Sequence, residues 1–130
     1  MKEIIFTEAG ATPKGPYSQG VIAHGPLLYV AAQGPNDPKS GELVGETFTE
    51  QAEQVFRNIQ TIVEAAGASM ADVVKVNVYL SDWKYFDELN QVYARFFPEP
   101  YPVRSPIKMD MPGGFLLADA IACMPTARTD

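Results

Sequence analysis

The stretch DVVKVNVYL, residues 72–80, limits the fold most tightly, because it reads as a strand with one wholly aliphatic face. The even positions from 74 to 80 are all aliphatic, and Lys75, Asn77 and Tyr79 alternate with them. Alternation with a period of two is typical of a β-strand. A strand of this kind must pack its aliphatic face against another layer of structure.

Two amphipathic helices are predicted on either side of this strand, and they can supply that layer. Thr47, with Glu50 three residues later, forms a predicted capping box at the start of the first helix, and Gly67 ends it. Asp82 is predicted to cap a second helix over residues 83–97. The apolar side chains at helical spacing are Ala52, Val55, Phe56, Ile59, Ile62 and Val63 in the first helix, and Phe86, Leu89, Val92, Tyr93 and Phe96 in the second.

Five further strands are predicted, which makes the order β-β-β-α-β-α-β-β. Residues 3–6 and two strands around the turn at His24 precede the first helix, and RSPIKMDM and FLLADAIACM follow the second. Two helices for six strands indicate one two-layer α+β domain over residues 1–130, with both helices on one sheet face. A chain of this length has no third layer for the other face, so we expect self-association.

Each of the last two predicted strands carries one isolated charge, Arg104 in the first and Asp119 in the second. The stretch PGG between these strands predicts a hairpin. With a two-residue loop at Pro112-Gly113 or at Gly113-Gly114, the alternation of side chains puts both charges on the same sheet face. A three-residue loop would put them on opposite faces.

Two interpretations of a same-face pair remain open. One is a structural ion pair, within the chain or across a subunit interface, which is the commoner role of such pairs. The other is a binding site, in which the planar guanidinium holds a substrate carboxylate through two hydrogen bonds. The neighbouring carboxylate could then position or deprotonate a water molecule.

The composition argues against several classes of function. A net charge of −6 disfavours nucleic-acid binding, which depends on clustered Lys and Arg. The single cysteine, Cys123, allows no intramolecular disulfide, and no Cys/His cluster resembles a metal site. The chain has no Gly-rich phosphate loop, and its N-terminal apolar run is too short for a signal peptide or a membrane span. We therefore expect a cytoplasmic protein without a metal site.

Several blocks spread along the chain carry a family resemblance. They are GPYSQG (15–20), DPKSGELVG (37–45), NIQTIVEAAGASMADVVKVNVYLSDW (58–83), FDELNQVYARFF (86–97), YPVRS (101–105) and ADAIA (118–122). In this order, and covering nearly the whole chain, they resemble the reactive intermediate deaminases. These are the RidA/YjgF-like proteins, formerly called the endoribonuclease L-PSP family.

This resemblance implies a chorismate-mutase-like α+β fold of the bacillar type. A six-stranded mixed sheet with two helices on one face would assemble as a homotrimer around an inner barrel, and so cover the open sheet face. Three active sites would lie in clefts between subunits. The implied reaction is hydrolysis of an enamine or imine, such as 2-aminoacrylate or 2-iminopropanoate, to ammonia and a 2-keto acid. The implied partners are this small molecule and the other subunits, with no cofactor, nucleic acid or membrane.

The resemblance also implies roles for individual residues. Arg104 matches the arginine that binds the substrate carboxylate, and Asp119 stands where relatives usually carry a glutamate that holds the attacking water. Tyr17 matches a pocket tyrosine, and Asn90 matches a pocket-side asparagine. An imine carbon is already electrophilic, so positioning of the carboxylate and the water provides most of the catalysis and no covalent nucleophile is needed.

Four positions depart from the family pattern. Ala31 lacks a hydroxyl that typically faces the ligand, and Gly34 stands where a branched apolar residue is common. Pro106 replaces a Cys or Thr, and Asp119 is one methylene shorter than glutamate. The predicted substrate-binding set is Tyr17, Ala31, Asn90, Arg104 and Pro106.

These departures indicate a reshaped pocket and leave other functions open. One is deamination of a different enamine, such as a 2-aminomuconate-type catabolic intermediate. Another is non-catalytic binding of small molecules in the same cleft. RNA cleavage, a role historically attached to relatives, is disfavoured by the acidic charge and by the absence of a histidine in the predicted site.

Overall fold

The computed structural model describes residues 1–125, and in them the predicted order of strands and helices is confirmed. The strands are β1 (Lys2–Ile5), β2 (Gly20–Ala23), β3 (Leu27–Gln33), β4 (Val73–Leu80), β5 (Val103–Lys108) and β6 (Leu116–Cys123). The helices are α1 (Phe48–Ala65) and α2 (Phe86–Phe96). Both helices pack on one face of a mixed sheet, which confirms the α+β class.

The strands form two sheets, which differs from the single six-stranded sheet that we expected. β1 and β2 pair antiparallel as a ribbon, and the other four form a sheet in the order β3-β6-β4-β5. Next to the ribbon, the Ser18 N–H donates to the Pro102 carbonyl at 3.0 Å. This bond links the segments that precede β2 and β5 without extending the strand ladder between them, so the ribbon stays separate.

The start of α1 follows the predicted capping box. The Thr47 hydroxyl accepts a hydrogen bond from the Glu50 N–H, and the Glu50 carboxylate accepts one from the Thr47 N–H at 3.1 Å. Gly67, just beyond the helix, has a φ of 93°, which favours glycine. Asp82 behaves differently from the prediction, because it caps a 3₁₀ turn over residues 83–85 and α2 begins only at Phe86.

The core lies between the helices and the larger sheet. Val76, Val78 and Leu80 of β4 are fully buried, as the alternating pattern predicted. The predicted stripes of both helices supply most of the opposing side chains. Ile62 is an exception, because its side chain is 36% exposed and points away from the core. Burial of apolar surface between these two layers is the main contribution to stability.

The predicted hairpin between β5 and β6 is wrong. β4 lies between them, and it pairs parallel with β5 and antiparallel with β6. The unit β4-α2-β5 is a crossover, and such connections produce parallel neighbours. Residues 109–115 then carry the chain past the end of β4, where Ser81 N–H donates to the Phe115 carbonyl at 3.0 Å. The PGG turn therefore ends a longer connection and does not close a hairpin.

The face of the larger sheet opposite the helices has no layer over it in residues 1–125. Tyr29 is 70% exposed there, and Leu27 and Ile107 are 42% and 41% exposed. Apolar side chains at this density on one face are typical of a surface that meets another protein chain. None of the helices in the described part of the chain is long and apolar enough to span a membrane.

Candidate functional site

Arg104 lies on β5, the edge strand of the larger sheet, and its side chain points to the helix face. Its Cα pairs with Val76, whose side chain is buried in the core. Only 8% of Arg104 is exposed. The edge position also explains why Pro106 is tolerated in the same strand, since a proline has no N–H to donate and an edge strand has a ladder on one side only.

Three aromatic rings surround this guanidinium. Its central carbon lies 5.6 Å from the ring centroid of Tyr17, 5.5 Å from that of Phe86 and 5.0 Å from that of Tyr93. Phe86, Asn90 and Tyr93 lie on one face of α2 because their spacing is four and then three residues. Cation–π attraction partly offsets the cost of removing the cation from water. Burial lowers the pKa of Arg104, yet the guanidinium stays cationic near neutral pH.

The buried polar atoms around Arg104 lack protein partners. Arg104 Nε and Nη1, Asn90 Oδ1 and the Tyr93 hydroxyl make no hydrogen bond within residues 1–125. No carboxylate in that part of the chain forms an ion pair with Arg104. Desolvation raises the pKa of Tyr93 well above its usual value, so this phenol stays neutral. Unpaired buried polar groups are costly, and a polar ligand that pairs with them would remove that cost.

A cleft of about 680 Å³ opens beside Arg104. Residues 17–20 and 103–105 line it together with Lys75 and the ribbon near Ile5. Gly15 packs closely on Arg104 and Asn90, because a Cβ at that position would be 3.5 Å from Arg104 Nη2 and 3.6 Å from Asn90 Nδ2. The cleft thus presents a buried cation and aromatic surface to a small molecule.

Asp119 belongs to a second cluster, on the open face of the sheet. Its Oδ1 accepts a hydrogen bond of 2.9 Å from Asn77 Nδ2, and its Oδ2 accepts one of 3.0 Å from the Tyr79 hydroxyl. The β4–β6 register brings them together, since Asn77 and Asp119 are direct Cα partners. The hydrogen bond to Asp119 is the main reason that the pKa of Tyr79 is raised.

The prediction that Arg104 and Asp119 share a sheet face is wrong. Arg104 pairs with Val76 and Asp119 pairs with Asn77, which are successive residues of β4. Successive side chains of a strand point to opposite faces. The two strands are also about 10 Å apart, since each strand spacing is nearly 5 Å. The two charges therefore cannot form an ion pair or a joint site within one chain.

The other predicted site residues also divide into those near Arg104 and those away from it. Tyr17, Asn90 and Arg104 come together, and Pro106 lies two residues beyond Arg104 on the same face of β5. Ala31 is exposed on β3, the opposite edge of the sheet, where the register to β6 is irregular. Like Asp119, it is not part of the Arg104 cleft in a single chain. Within residues 1–125, no three His, Cys, Asp or Glu side chains are grouped as a metal site requires.

Several residues of both clusters were not predicted from the sequence. Phe86 and Tyr93 were assigned only to the helix core, and Gly15, Asn77 and Tyr79 had no assigned part in a site. The helical spacing of Phe86 and Tyr93 from Asn90 was a usable signal for the ring cluster. No local signal identified Asn77 as the partner of Asp119, because that contact depends on which strands pair.

The comparisons with known proteins agree with this fold. The family described as Endoribonuclease L-PSP matches residues 7–111. The RutC family protein PH0854 of Pyrococcus horikoshii is 49% identical over 109 residues, which are 84% of this chain and 86% of that protein. The 2-iminobutanoate/2-iminopropanoate deaminase of Dermatophagoides farinae is 39% identical over 106 residues, 82% of each chain. The crystal structure of RidA from the Antarctic bacterium Psychrobacter sp. PAMC 21119 superposes with a TM-score of 0.73 at 40% identity, covering 94% of this chain and 99% of that one.

Proposed function

Because this chain belongs to the endoribonuclease L-PSP family, which includes RidA-type deaminases, we propose that it hydrolyses an enamine or imine of a small 2-amino acid. The products are a 2-keto acid and ammonia. The observation that carries this proposal is Arg104, a buried cation at the wall of a cleft, with N–H donors that have no partner in residues 1–125. A guanidinium of this kind matches the carboxylate that all such substrates share.

The groups around Arg104, at the wall of the cleft, suit the reaction in three ways. Arg104 binds the substrate carboxylate, and the rings of Tyr17 and Tyr93 exclude water from that contact. Asn90 Oδ1, an unpaired buried acceptor, can accept a hydrogen bond from the substrate nitrogen. An enamine substrate first tautomerises to the imine, as a proton moves from its nitrogen to its terminal carbon. Water then adds to the imine carbon, and the resulting carbinolamine loses ammonia to form the keto group. Fixing the substrate beside the water provides most of the rate enhancement.

In this proposal the carboxylate that holds the water comes from a second copy of the chain. Asp119 lies on the opposite sheet face from Arg104, so the two can meet only between subunits. The exposed apolar side chains on that face, Tyr29 among them, favour such an assembly. We propose that the chain forms the homotrimer that the family resemblance implies. Each subunit then contributes Asp119 and Ala31 to the Arg104 cleft of a neighbouring subunit.

Freshly generated 2-aminoacrylate provides the direct test, with decay followed by ammonia or pyruvate release. We expect the wild-type protein to accelerate its hydrolysis and Arg104→Ala to remove the acceleration, because the carboxylate anchor is lost. Arg95→Ala is the matched control, since Arg95 is an exposed arginine on α2 that pairs with Glu53 at 2.9 Å. No acceleration by wild type, or equal rates for Arg104→Ala and wild type, would contradict the proposal for this substrate.

A second candidate function is deamination of a different enamine, or binding of a small molecule without turnover. It is favoured by Pro106, which borders Arg104, and by the shorter Asp119 in place of glutamate. The same assay with a 2-aminomuconate-type enamine distinguishes the substrates. Calorimetric binding of pyruvate that depends on Arg104, without turnover of any enamine, would identify a binding protein.

A further inference from the structure

The Asp119 carboxylate is held by two donors from the neighbouring strand. Asn77 Nδ2 lies 2.9 Å from Oδ1, and the Tyr79 hydroxyl lies 3.0 Å from Oδ2. Each carboxylate oxygen therefore has its own donor, and both donors stand on β4 at alternate positions. This arrangement fixes the plane of the carboxylate with respect to the sheet.

The two donors leave Asp119 able to bind more. A carboxylate offers about four acceptor positions, and Asn77 and Tyr79 occupy one on each oxygen. No Lys, Arg or His in residues 1–125 forms an ion pair with Asp119. Asp119 is only partly buried, on the face that carries the exposed apolar side chains. An oriented anion with free acceptor positions can hold a water by hydrogen bonds.

The length of Asp119 makes this support important. An aspartate is one methylene shorter than a glutamate, so its carboxylate stays close to the sheet, within reach of Asn77 and Tyr79 on β4. We propose that Asn77 and Tyr79 are positioning residues that hold the Asp119 carboxylate in the orientation in which it binds the attacking water. This inference rests on the proposed deaminase function.

Tyr79 has the chemistry that this role needs. Its hydrogen bond to Asp119 raises the pKa of the phenol, with burial and the negative charge of Asp119 adding to the effect. The hydroxyl therefore remains a donor throughout the neutral and moderately alkaline range. Asn77 cannot ionise and donates at any pH.

Tyr79→Phe removes only the hydroxyl and is the main test. With 2-aminoacrylate as substrate, we expect kcat about tenfold lower than wild type, because one hydrogen bond to a charged group is lost. KM should be unchanged, since Arg104 still binds the substrate carboxylate. Asn77→Ala should have the same effect.

Tyr85→Phe is the matched control, because the Tyr85 hydroxyl makes no hydrogen bond in residues 1–125 and its ring stacks on Phe48. It should keep the wild-type kcat, and thermal melting should show that every variant is folded. Wild-type kcat in Tyr79→Phe and Asn77→Ala, while Asp119→Ala is inactive, would overturn this inference alone. Wild-type protein that turns over no enamine would overturn the proposed function as well.

Discussion

Arg104 is an isolated charge among apolar residues in the sequence, and its surroundings in the structure explain how it is buried. A charged side chain that is 8% exposed needs partners, and among residues 1–125 this one has aromatic rings in place of a carboxylate. The rings reduce the cost of burial without using the N–H donors, so the donors remain available to a ligand. At this scale, the sequence identified the unusual residue, and the structure identified what surrounds it.

Arg104→Lys tests whether the fork of the guanidinium matters as well as its charge. Lysine keeps the positive charge but cannot make two parallel hydrogen bonds to a carboxylate. We expect kcat/KM for 2-aminoacrylate to fall about thirtyfold, which corresponds to about 2 kcal/mol, mainly through KM. Arg95 lies on the exposed side of α2, so Arg95→Lys should leave kcat and KM unchanged. Equal kcat/KM for Arg104→Lys and wild type would show that charge alone is enough.

The secondary-structure elements were mostly predictable, because their signals are local. The capping box of α1 needs residues only three apart, and the alternation in β4 needs only its own eight residues. The PGG stretch is also a local signal, but it was assigned to the wrong structure. It predicts a turn correctly, and it cannot indicate whether the strands on either side pair with each other or with β4.

Glu50→Gln tests the capping box through its pH dependence. Hydrogen bonds from the Thr47 N–H and the Glu46 N–H lower the pKa of Glu50 from 4.5. A carboxylate with a lowered folded-state pKa stabilises the protein above its unfolded pKa, and this contribution is lost as the pH falls through the folded value. We expect wild type to be more stable than Glu50→Gln at pH 7 and the difference to disappear well below pH 4.5.

Urea denaturation of both proteins at several pH values measures this difference, since the other carboxylates titrate alike in the two chains. A stability difference that stays constant from pH 7 down to the acid range would contradict the assigned role of Glu50.

At the scale of the whole molecule, residues 1–125 leave the larger sheet with one packed face and one open face. The packed face carries Arg104 and the open face carries Asp119, together with exposed apolar side chains such as Tyr29. A site that needs both charges must then combine two copies of the chain. The sequence already indicated self-association, because two helices can cover only one face of a sheet.

Mixing two inactive variants tests this arrangement. Arg104→Ala and Asp119→Ala should each be inactive alone, and co-refolding them from denaturant should restore activity. If the copies assort at random, about a quarter of the sites should combine an intact Arg104 with an intact Asp119 of a neighbour. Each variant refolded alone is the control. No recovery, in mixed oligomers verified by size and mass, would contradict a site shared between chains.

The sequence by itself determined the elements of this protein, its two layers and its family. Those features depend on periodicity, capping and motif spacing, which involve residues close together in the chain. Only the tertiary structure decided that β4 lies between β5 and β6, and hence that Arg104 and Asp119 point to opposite faces. Which strands pair depends on burial and hydrogen bonding between segments that lie far apart in the chain. For that reason the two charges could be found from the sequence, but their geometry could not.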